Sequence, residues 1–308
     1  MSGPLAASDT EQASTTGPAD GRQRLVLDSR TAAVGALTVR RALPQRSRRT
    51  VGAWCFLDHG GPVEAPAGAF GIGPHPHIGL RTVTWVLRGA FLHRDSLGSE
   101  QLVRPGELNL MTAGHGIVHA EEHPEAGPLH VVQLWVAQPA ATRDGPSAFE
   151  HHGALPRLAL GAGVATVLVG SLGDAASPAR RDTDHMAADV ELAGEVVLPA
   201  DPAYEHAVVP VEGALQVDGA AVEPGRLVYL GPGRDELVLR SSGPARAIVV
   251  GGVPFDEPVV MWWNYVARTR DEIVEAHRAW TARDGRFVVP DSVLAPLDAG
   301  PPPWAGAS

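Results

Sequence analysis

The fold of this chain is constrained most by a succession of short apolar runs separated by turn residues. The 35 glycines and 27 prolines fall mainly between these runs, and stretches with helical spacing are scarce. One run, 81–88, has the residues of a strand and is closed by Gly89. Many short strands with regular turn signals are typical of a sandwich or a barrel. The sequence therefore predicts an all-β protein and disfavours helix bundles and Rossmann-type folds.

The same order of strand, glycine and Pro-Gly turn occurs twice. Run 81–88 is followed later by Pro105-Gly106, and run 206–213 by Pro224-Gly225. Such a weak internal repeat predicts a duplicated barrel. We therefore expect five regions: a disordered segment at 1–22, an N-terminal barrel at 23–138, a linker at 139–155, a C-terminal barrel at 156–295 and a loose tail at 296–308.

One helix is signalled late in the second half. Thr269 is followed three residues later by Glu272, which fits a capping box. Ile273, Ala276 and Trp280 then recur at helical spacing. The pattern predicts a helix over 270–282 with one apolar face packed on the rest of the protein.

The composition disfavours several classes of function. A formal net charge of -10 argues against direct nucleic-acid binding, which needs a basic surface. No apolar run reaches the roughly 18 residues of a membrane-spanning helix. Residues 1–22 lack the basic and apolar regions of a signal peptide, so we expect a cytoplasmic protein. The single cysteine, Cys55, excludes an internal disulfide and lies in an apolar run, which predicts a buried thiol.

Two short motifs carry the chemistry. In Pro74-His75-Pro76-His77 the two histidines lie two residues apart, so on an extended strand they point to the same face. The prolines remove backbone donors, which predicts an edge or bulge segment. His119-Ala120-Glu121 repeats the same spacing with a carboxylate in the second place.

Together these motifs offer three imidazoles and one carboxylate, a set that suits one divalent first-row transition metal with open positions. A lone pair of histidines is as well explained by a solvated loop, but the second pair disfavours that interpretation. A structural zinc site fits poorly, because such sites prefer four closed, cysteine-rich ligands. In the second half Glu205 and His206 are adjacent and point to opposite faces of a strand, so we expect that half to lack metal.

The chain resembles the pirin family of the cupin superfamily. The resemblance rests on Pro74-His75-Pro76-His77, Thr82-Val83-Thr84, His93-Arg94-Asp95-Ser96, Pro105-Gly106-Glu107, Met111-Thr112-Ala113-Gly114, Gly116-Ile117-Val118-His119-Ala120-Glu121, Gln133-Leu134-Trp135-Val136, Phe255-Asp256-Glu257-Pro258 and Thr269-Arg270-Asp271-Glu272. It implies a bicupin, in which two cupin β-barrels lie face to face. It also implies one metal, commonly iron, in the N-terminal barrel, held by His75, His77, His119 and Glu121.

The sequence departs from the family pattern at three places. Arg81 stands where classical cupins use a carboxylate ligand, and its guanidinium has no acceptor atom, so the carboxylate must come from Glu121. Trp262-Trp263-Asn264 replaces a smaller, more polar stretch, which we expect to alter the pocket or the contact between the barrels. His115 replaces an arginine or a small residue, and we interpret it as an exposed turn residue.

Other residues are candidates for the surroundings of the site. His93 is interpreted either as a donor that orients a ligand carboxylate or as a core histidine, and the sequence does not choose between the two. Gln133 is a candidate for facing the cavity. Asp58 and His59 belong either to the cavity rim or to the cap of a turn.

The resemblance implies a metal-dependent dioxygenase of the quercetin 2,3-dioxygenase kind, acting with O₂ on a flavonol or a related phenolic compound. Glu121 would bind the metal and accept the substrate hydroxyl proton as a general base. Iron(II) is the metal most favoured, and manganese, nickel, copper, cobalt or zinc also fit the donors. The alternative is a non-enzymatic, redox-responsive regulator that contains the metal and acts through a protein partner.

Overall fold

The computed structural model describes residues 23–66 and 70–306, so the segment 1–22, predicted to be disordered, lies outside the described residues. The described chain is mostly strand with one helix, and the predicted all-β class is confirmed. The strands up to residue 152 are β1 (Arg24–Asp28), β2 (Arg30–Val34), β3 (Leu37–Leu43), β4 (Trp54–Ala65), β5 (Gly71–His77), β6 (Leu80–Arg88), β7 (Phe91–Asp95), β8 (Glu100–Val103), β9 (Leu108–Thr112), β10 (Ile117–Glu122), β11 (Gly127–Ala137) and β12 (Ala148–His152).

The second half repeats this density of short strands and ends in the helix. Its elements are β13 (Arg157–Leu160), β14 (Gly163–Val169), β15 (Ser171–Leu172), β16 (Ala175–Ala176), β17 (His185–Leu192), β18 (Glu195–Pro199), β19 (Glu205–Glu212), β20 (Leu215–Val217), β21 (Ala220–Val222), β22 (Arg226–Leu230), β23 (Glu236–Arg240), β24 (Ala245–Gly252), β25 (Val260–Trp262), β26 (Tyr265–Ala267) and α1 (Arg270–Ala282).

Each half contains one seven-stranded and one four-stranded antiparallel sheet. In the first half the orders are β12-β9-β6-β11-β4-β3-β2 and β5-β10-β7-β8, and in the second half they are β1-β22-β19-β24-β17-β14-β13 and β18-β23-β20-β21. The sheets do not close, so the prediction of barrels is wrong in this respect. Each half is a sandwich of two open sheets, because the edge strands of the large sheet do not pair with the small one.

Two strands lie outside the regions that the sequence boundaries suggest. β1, inside the predicted N-terminal region, pairs with β22 along its whole length and so completes the second large sheet. β12, inside the predicted linker, pairs with β9 at the edge of the first large sheet. β1 therefore belongs to the second sandwich, and β12 extends the first sandwich beyond residue 138. The division at 138 and 156 stays a prediction.

The largest apolar cluster lies between the two large sheets and contains side chains from both. Trp54 on β4 is fully buried there, and its indole N–H lies 3.0 Å from the carbonyl oxygen of Met186 and 3.2 Å from that of Gly251 in the second half. Burying one large apolar side chain contributes about 1.5–3 kcal/mol. This layer therefore holds the halves against each other, and each half keeps a further interior between its own two sheets.

The helix α1 begins and ends where the sequence predicted. Thr269 is the N-cap and its hydroxyl accepts the backbone N–H of Glu272, while Arg283 ends the helix in a left-handed conformation. Ile273 and Trp280 are buried against β26 and the site-bearing sheet. In the described part of the chain, no helix has the length and apolar character needed to cross a membrane.

Residues 296–306, within the predicted loose tail, have no helix or strand but are held by specific contacts. The backbone N–H of Leu297 donates to the carbonyl of Pro74 at 2.8 Å, and the indole N–H of Trp280 donates to the carbonyl of Leu297 at 3.1 Å. Trp304 is half-buried against the cluster around α1. The tail thus lies beside the strand that carries His75.

Candidate metal centre

The register of two strands in the first small sheet brings the histidine motifs together. β5 pairs antiparallel with β10, with His119 opposite His75 and Ile117 opposite His77. Because alternate residues share a face, all three imidazoles point to the same side, the interior of the first sandwich. β5 is the edge strand of its sheet, in agreement with the prediction from Pro74 and Pro76. All three histidines are at least 95 % buried, with exposed fractions of 5 % for His75, 0 % for His77 and 1 % for His119.

The ring nitrogens of these three residues form a compact cluster. One nitrogen from each of His75, His77 and His119 lies within 4.8 Å of the others, and Nε2 of His77 is 3.1 Å from Nε2 of His119. Such a cluster of buried imidazoles has the chemistry of a site for a transition metal.

Backbone carbonyls fix the orientation of two of the rings. Nδ1 of His75 lies 2.8 Å from the carbonyl oxygen of Gly73, and Nδ1 of His77 lies 2.8 Å from that of Asn264. A carbonyl only accepts hydrogen bonds, so Nδ1 of each ring carries the proton and Nε2 keeps its lone pair. Asn264 belongs to the stretch that departs from the family pattern, and its backbone thus positions a candidate ligand.

The third ring is supported by a chain of side chains. Nδ1 of His119 is 3.5 Å from Nδ1 of His93, whose Nε2 is 3.0 Å from the Asp95 carboxylate. That carboxylate also accepts backbone N–H groups of Leu97 and Ser99 at 2.9 and 3.0 Å. His93 is buried and contacts the imidazole of His119, a candidate ligand. The sequence predicted either a donor that orients a ligand carboxylate or a core histidine, so the partner of His93 differs from the predicted one. Orienting partners of this kind tune a metal site.

Burial keeps these imidazoles neutral. It lowers the pKa of His75 to about 4 from an ordinary value of 6.5, and it lowers the pKa of His77 and His119 well below that value. The neighbouring rings lower the pKa of His77 and His119 further. Neutral imidazoles are the form that binds a metal.

Glu121 faces the same interior but lies outside the compact cluster of three nitrogens. The pairing of β10 with β5 shifts between His119 and Glu121, which are opposite His75 and Ile72. The hydroxyl of Thr84, on the facing large sheet, donates to the Glu121 carboxylate at 2.7 Å. Burial raises the pKa of this carboxyl above its ordinary 4.5. Its role as the fourth ligand stays a prediction.

A small cavity of about 60 Å³ lies in the interior of the first sandwich and is lined by Trp135 and Asn264, both of which contact His77. Glu121, Gln133, Asp58 and Asn264 are among its lining residues, so Gln133 faces the cavity as expected. Asp58 accepts two hydrogen bonds from the buried Arg41, at 2.8 and 2.6 Å. The Asp58 carboxylate is therefore paired with the Arg41 guanidinium and forms part of the wall of the cavity.

The remaining candidates lie apart from the cluster. His115 is exposed in the turn before β10, as the sequence analysis preferred. Cys55 is buried and free, and burial raises its pKa to about 12, so the thiol is unreactive. Nε2 of His59 is 2.6 Å from Nε2 of His130, and Arg81 lies in contact with Asp182 of the second half.

Sequence reasoning missed three contacts of the site. They are the Thr84 hydroxyl on Glu121, the Asn264 carbonyl on His77, and the ring of Trp135, whose centre is 5.1 Å from that of His77. Thr84 and Trp135 lie in motifs that carry the family resemblance. Their period-two pattern predicts a face but not which side chain meets which across the interior.

Two cupin-like sandwiches, with a buried histidine cluster in the first, define a bicupin. The pirin family model matches residues 36–136, and the model of the pirin C-terminal cupin domain matches residues 186–288. The chain belongs to the pirin family.

Relatives agree over most of the chain. A Pseudomonas aeruginosa protein named "Putative quercetin 2,3-dioxygenase" is 46% identical over 275 residues, 88% of this chain and 87% of that protein. A Caulobacter vibrioides protein named "Pirin-like protein" is 33% identical over 279 residues, 87% of this chain and 95% of that protein. A crystal structure of quercetin 2,3-dioxygenase from Acinetobacter baumannii has a TM-score of 0.88 and 40% identity, and covers 91% of this chain and 96% of that one.

Proposed function

We propose that this protein is a metal-dependent dioxygenase of the quercetin 2,3-dioxygenase kind, acting with O₂ on a flavonol or a related phenolic compound. The observation that carries the proposal is the set of three buried, neutral imidazoles in the same sandwich interior as a buried carboxylate, Glu121, which lines a small cavity. The names of the relatives in Pseudomonas aeruginosa and Acinetobacter baumannii support it.

The donors fit a divalent first-row metal. Two Nδ1 atoms are held by carbonyls, so the corresponding Nε2 lone pairs are free for a ligand bond. The Nε2 atoms of His77 and His119 lie 3.1 Å apart, a contact that a shared cation stabilises. We propose iron(II), and the same donors accept manganese, nickel, copper, cobalt or zinc. When bound, the metal supplies a Lewis acid and, if redox-active, a centre for O₂ chemistry.

Glu121 is proposed to serve both as the fourth ligand and as the general base for the substrate hydroxyl. Thr84 holds one side of its carboxylate by a hydrogen bond of 2.7 Å. Burial raises the pKa of the carboxyl, which makes the ionised group a stronger proton acceptor. Apolar side chains such as Val39, Phe91 and Val131 form part of the cavity wall beside this carboxylate and limit the access of water.

Oxygen uptake by metal-loaded protein tests the proposal. Protein loaded separately with iron, manganese and nickel is given quercetin, and O₂ consumption and carbon monoxide release are measured. We expect consumption that needs both metal and flavonol and that falls strongly in Glu121→Gln. The exposed Glu125 gives a matched control, and Glu125→Gln should keep full activity. Fully loaded protein that consumes no O₂ would contradict the dioxygenase and favour the regulator.

A further inference from the structure

A second, larger cavity opens at the surface beside the site. It is a cleft of about 440 Å³ between the first sandwich and the C-terminal segment that contains β25 and the tail. This volume lies in the range of small-molecule sites, whereas the inner cavity of about 60 Å³ is too small for a two-ring aromatic compound. Any aromatic ligand that approaches the cluster from this side must therefore place most of its body in the cleft.

The charged lining of this cleft is entirely basic. It contains Arg30, Arg41, Arg49 and Arg270, and among the described residues that line it none is Asp or Glu. The chain as a whole carries a formal charge of -10, so this local excess of positive charge runs against the average. An arginine-rich concave surface attracts and orients anions.

Two of these arginines are available to a ligand. Arg41 is already occupied by the Asp58 carboxylate. Arg49 and Arg270 are exposed, and neither forms an ion pair with a carboxylate in the described ranges of the chain. The guanidinium carbon of Arg270 lies 5.2 Å from the centre of the Trp304 ring, which keeps this cation at the cleft.

The rest of the lining is strongly aromatic. Trp262 and Trp304 meet edge to face at the outer wall, with ring centres 6.5 Å apart. Phe56 and Trp135 are stacked at 3.9 Å and line both the cleft and the inner cavity. Since Trp135 also contacts His77, one layer of side chains separates the cleft from the histidine cluster. Flat aromatic walls favour a planar aromatic ligand.

We infer that this cleft binds a planar aromatic molecule that carries an anionic group, such as an aromatic carboxylate. The rings pack on Trp262 and Trp304, and Arg49 and Arg270 pair with the anion. The identification of this molecule as the substrate rests on the proposed function. It narrows the phenolic substrate class to compounds with an acidic substituent remote from the reacting hydroxyl.

Calorimetric titration of the full, metal-free chain tests the binding. The probes are 2-naphthoate and its neutral analogue 2-naphthamide. We expect the carboxylate to bind about tenfold more tightly, the effect of one charge-assisted hydrogen bond. Arg49→Gln and Arg270→Gln should each remove most of that preference and leave amide binding unchanged. Trp304→Ala should weaken the binding of both probes.

Arg278 supplies the matched control, because it is exposed on the same helix as Arg270 but does not line the cleft. Arg278→Gln should keep the preference, with unfolding temperatures confirming that every variant is folded. Equal affinity for the two probes, or an equal loss in Arg278→Gln, would overturn the inference. A preserved preference without oxygen uptake would contradict the proposed function alone, and uptake without any preference would contradict only this inference.

Discussion

The two sandwiches contain the same numbers of strands, but their interiors are filled differently. Between the sheets of the first lie three clustered histidines, Glu121 and the pair His93–Asp95. Between the sheets of the second lies a continuous apolar cluster that includes Leu198, Leu239 and other fully buried side chains. One fold therefore supports a polar site in one copy and ordinary packing in the other, which shows that function depends on interior side chains rather than on the fold.

The largest effect expected from this comparison is the loss of metal from the first sandwich. Four-ligand zinc sites bind with about 10–16 kcal/mol, so removing one ligand should weaken binding roughly a hundredfold or more. We expect His77→Ala to purify without metal, by elemental analysis, while a cooperative unfolding transition shows that the variant is folded. A variant that keeps one metal per chain would show that the cluster is not the site.

The corresponding test in the second sandwich replaces an interior leucine. Leu239 is fully buried, so Leu239→Ala should lower the free energy of unfolding by about 2–5 kcal/mol. The folded variant should keep the metal content of the wild type, because the altered interior does not touch the cluster. Urea unfolding and elemental analysis measure the two effects. A loss of metal from folded protein would mean that the two interiors are coupled.

A smaller loss of metal affinity is expected when a residue that supports a candidate ligand is replaced. His93 lies between His119 and Asp95, and loss of such an orienting partner typically costs 10–100-fold in metal affinity. His93→Ala should show this loss in a chelator competition, and Asp95→Asn a weaker one. The exposed His115 is the control, and His115→Ala should leave the affinity unchanged. Equal affinities in all variants would assign His93 to the core alone.

Acid should destabilise the metal-free protein through both sandwiches. Burial lowers the pKa of His75, His185 and His206 to about 4, against 6.5 in the unfolded chain. Between these values the unfolded state binds more protons, so stability is present above pH 6.5 and is lost as the pH falls toward 4. Each group contributes about 1.4 kcal/mol per pH unit within this window.

Urea unfolding at a series of pH values measures this slope. Metal should keep the contribution of His75 between pH 6.5 and 4 and extend it below pH 4, because a metal-bound imidazole stays unprotonated in the folded state while the unfolded chain binds the proton. His206→Gln should flatten the slope between pH 6.5 and 4 with or without metal. A slope below pH 4 that metal leaves unchanged would contradict the placement of His75 at the site.

Local patterns predicted much of the molecule. The spacing of His75 and His77 was enough to place these two on one face, and the capping box at Thr269 located the helix. His119 reaches the same side through the pairing of β10 with β5. Contacts between distant parts of the chain were not predictable, because alternation defines a face of a strand but not its neighbour. One such contact joins the Asn264 carbonyl to His77, which is 187 residues away in the chain. The open edges of the sheets were missed for the same reason.

The edge position of β1 sets an order of events during synthesis. Arg24 pairs with Leu230, so this strand leaves the ribosome 206 residues before its partner exists. At about 5–20 residues per second, the delay is roughly 10–40 s. Throughout that time the apolar residues of β1 have no sheet to join, and the last edge of the second sandwich closes only after β22 has emerged. β1 therefore joins the second large sheet only after most of the chain has been synthesised.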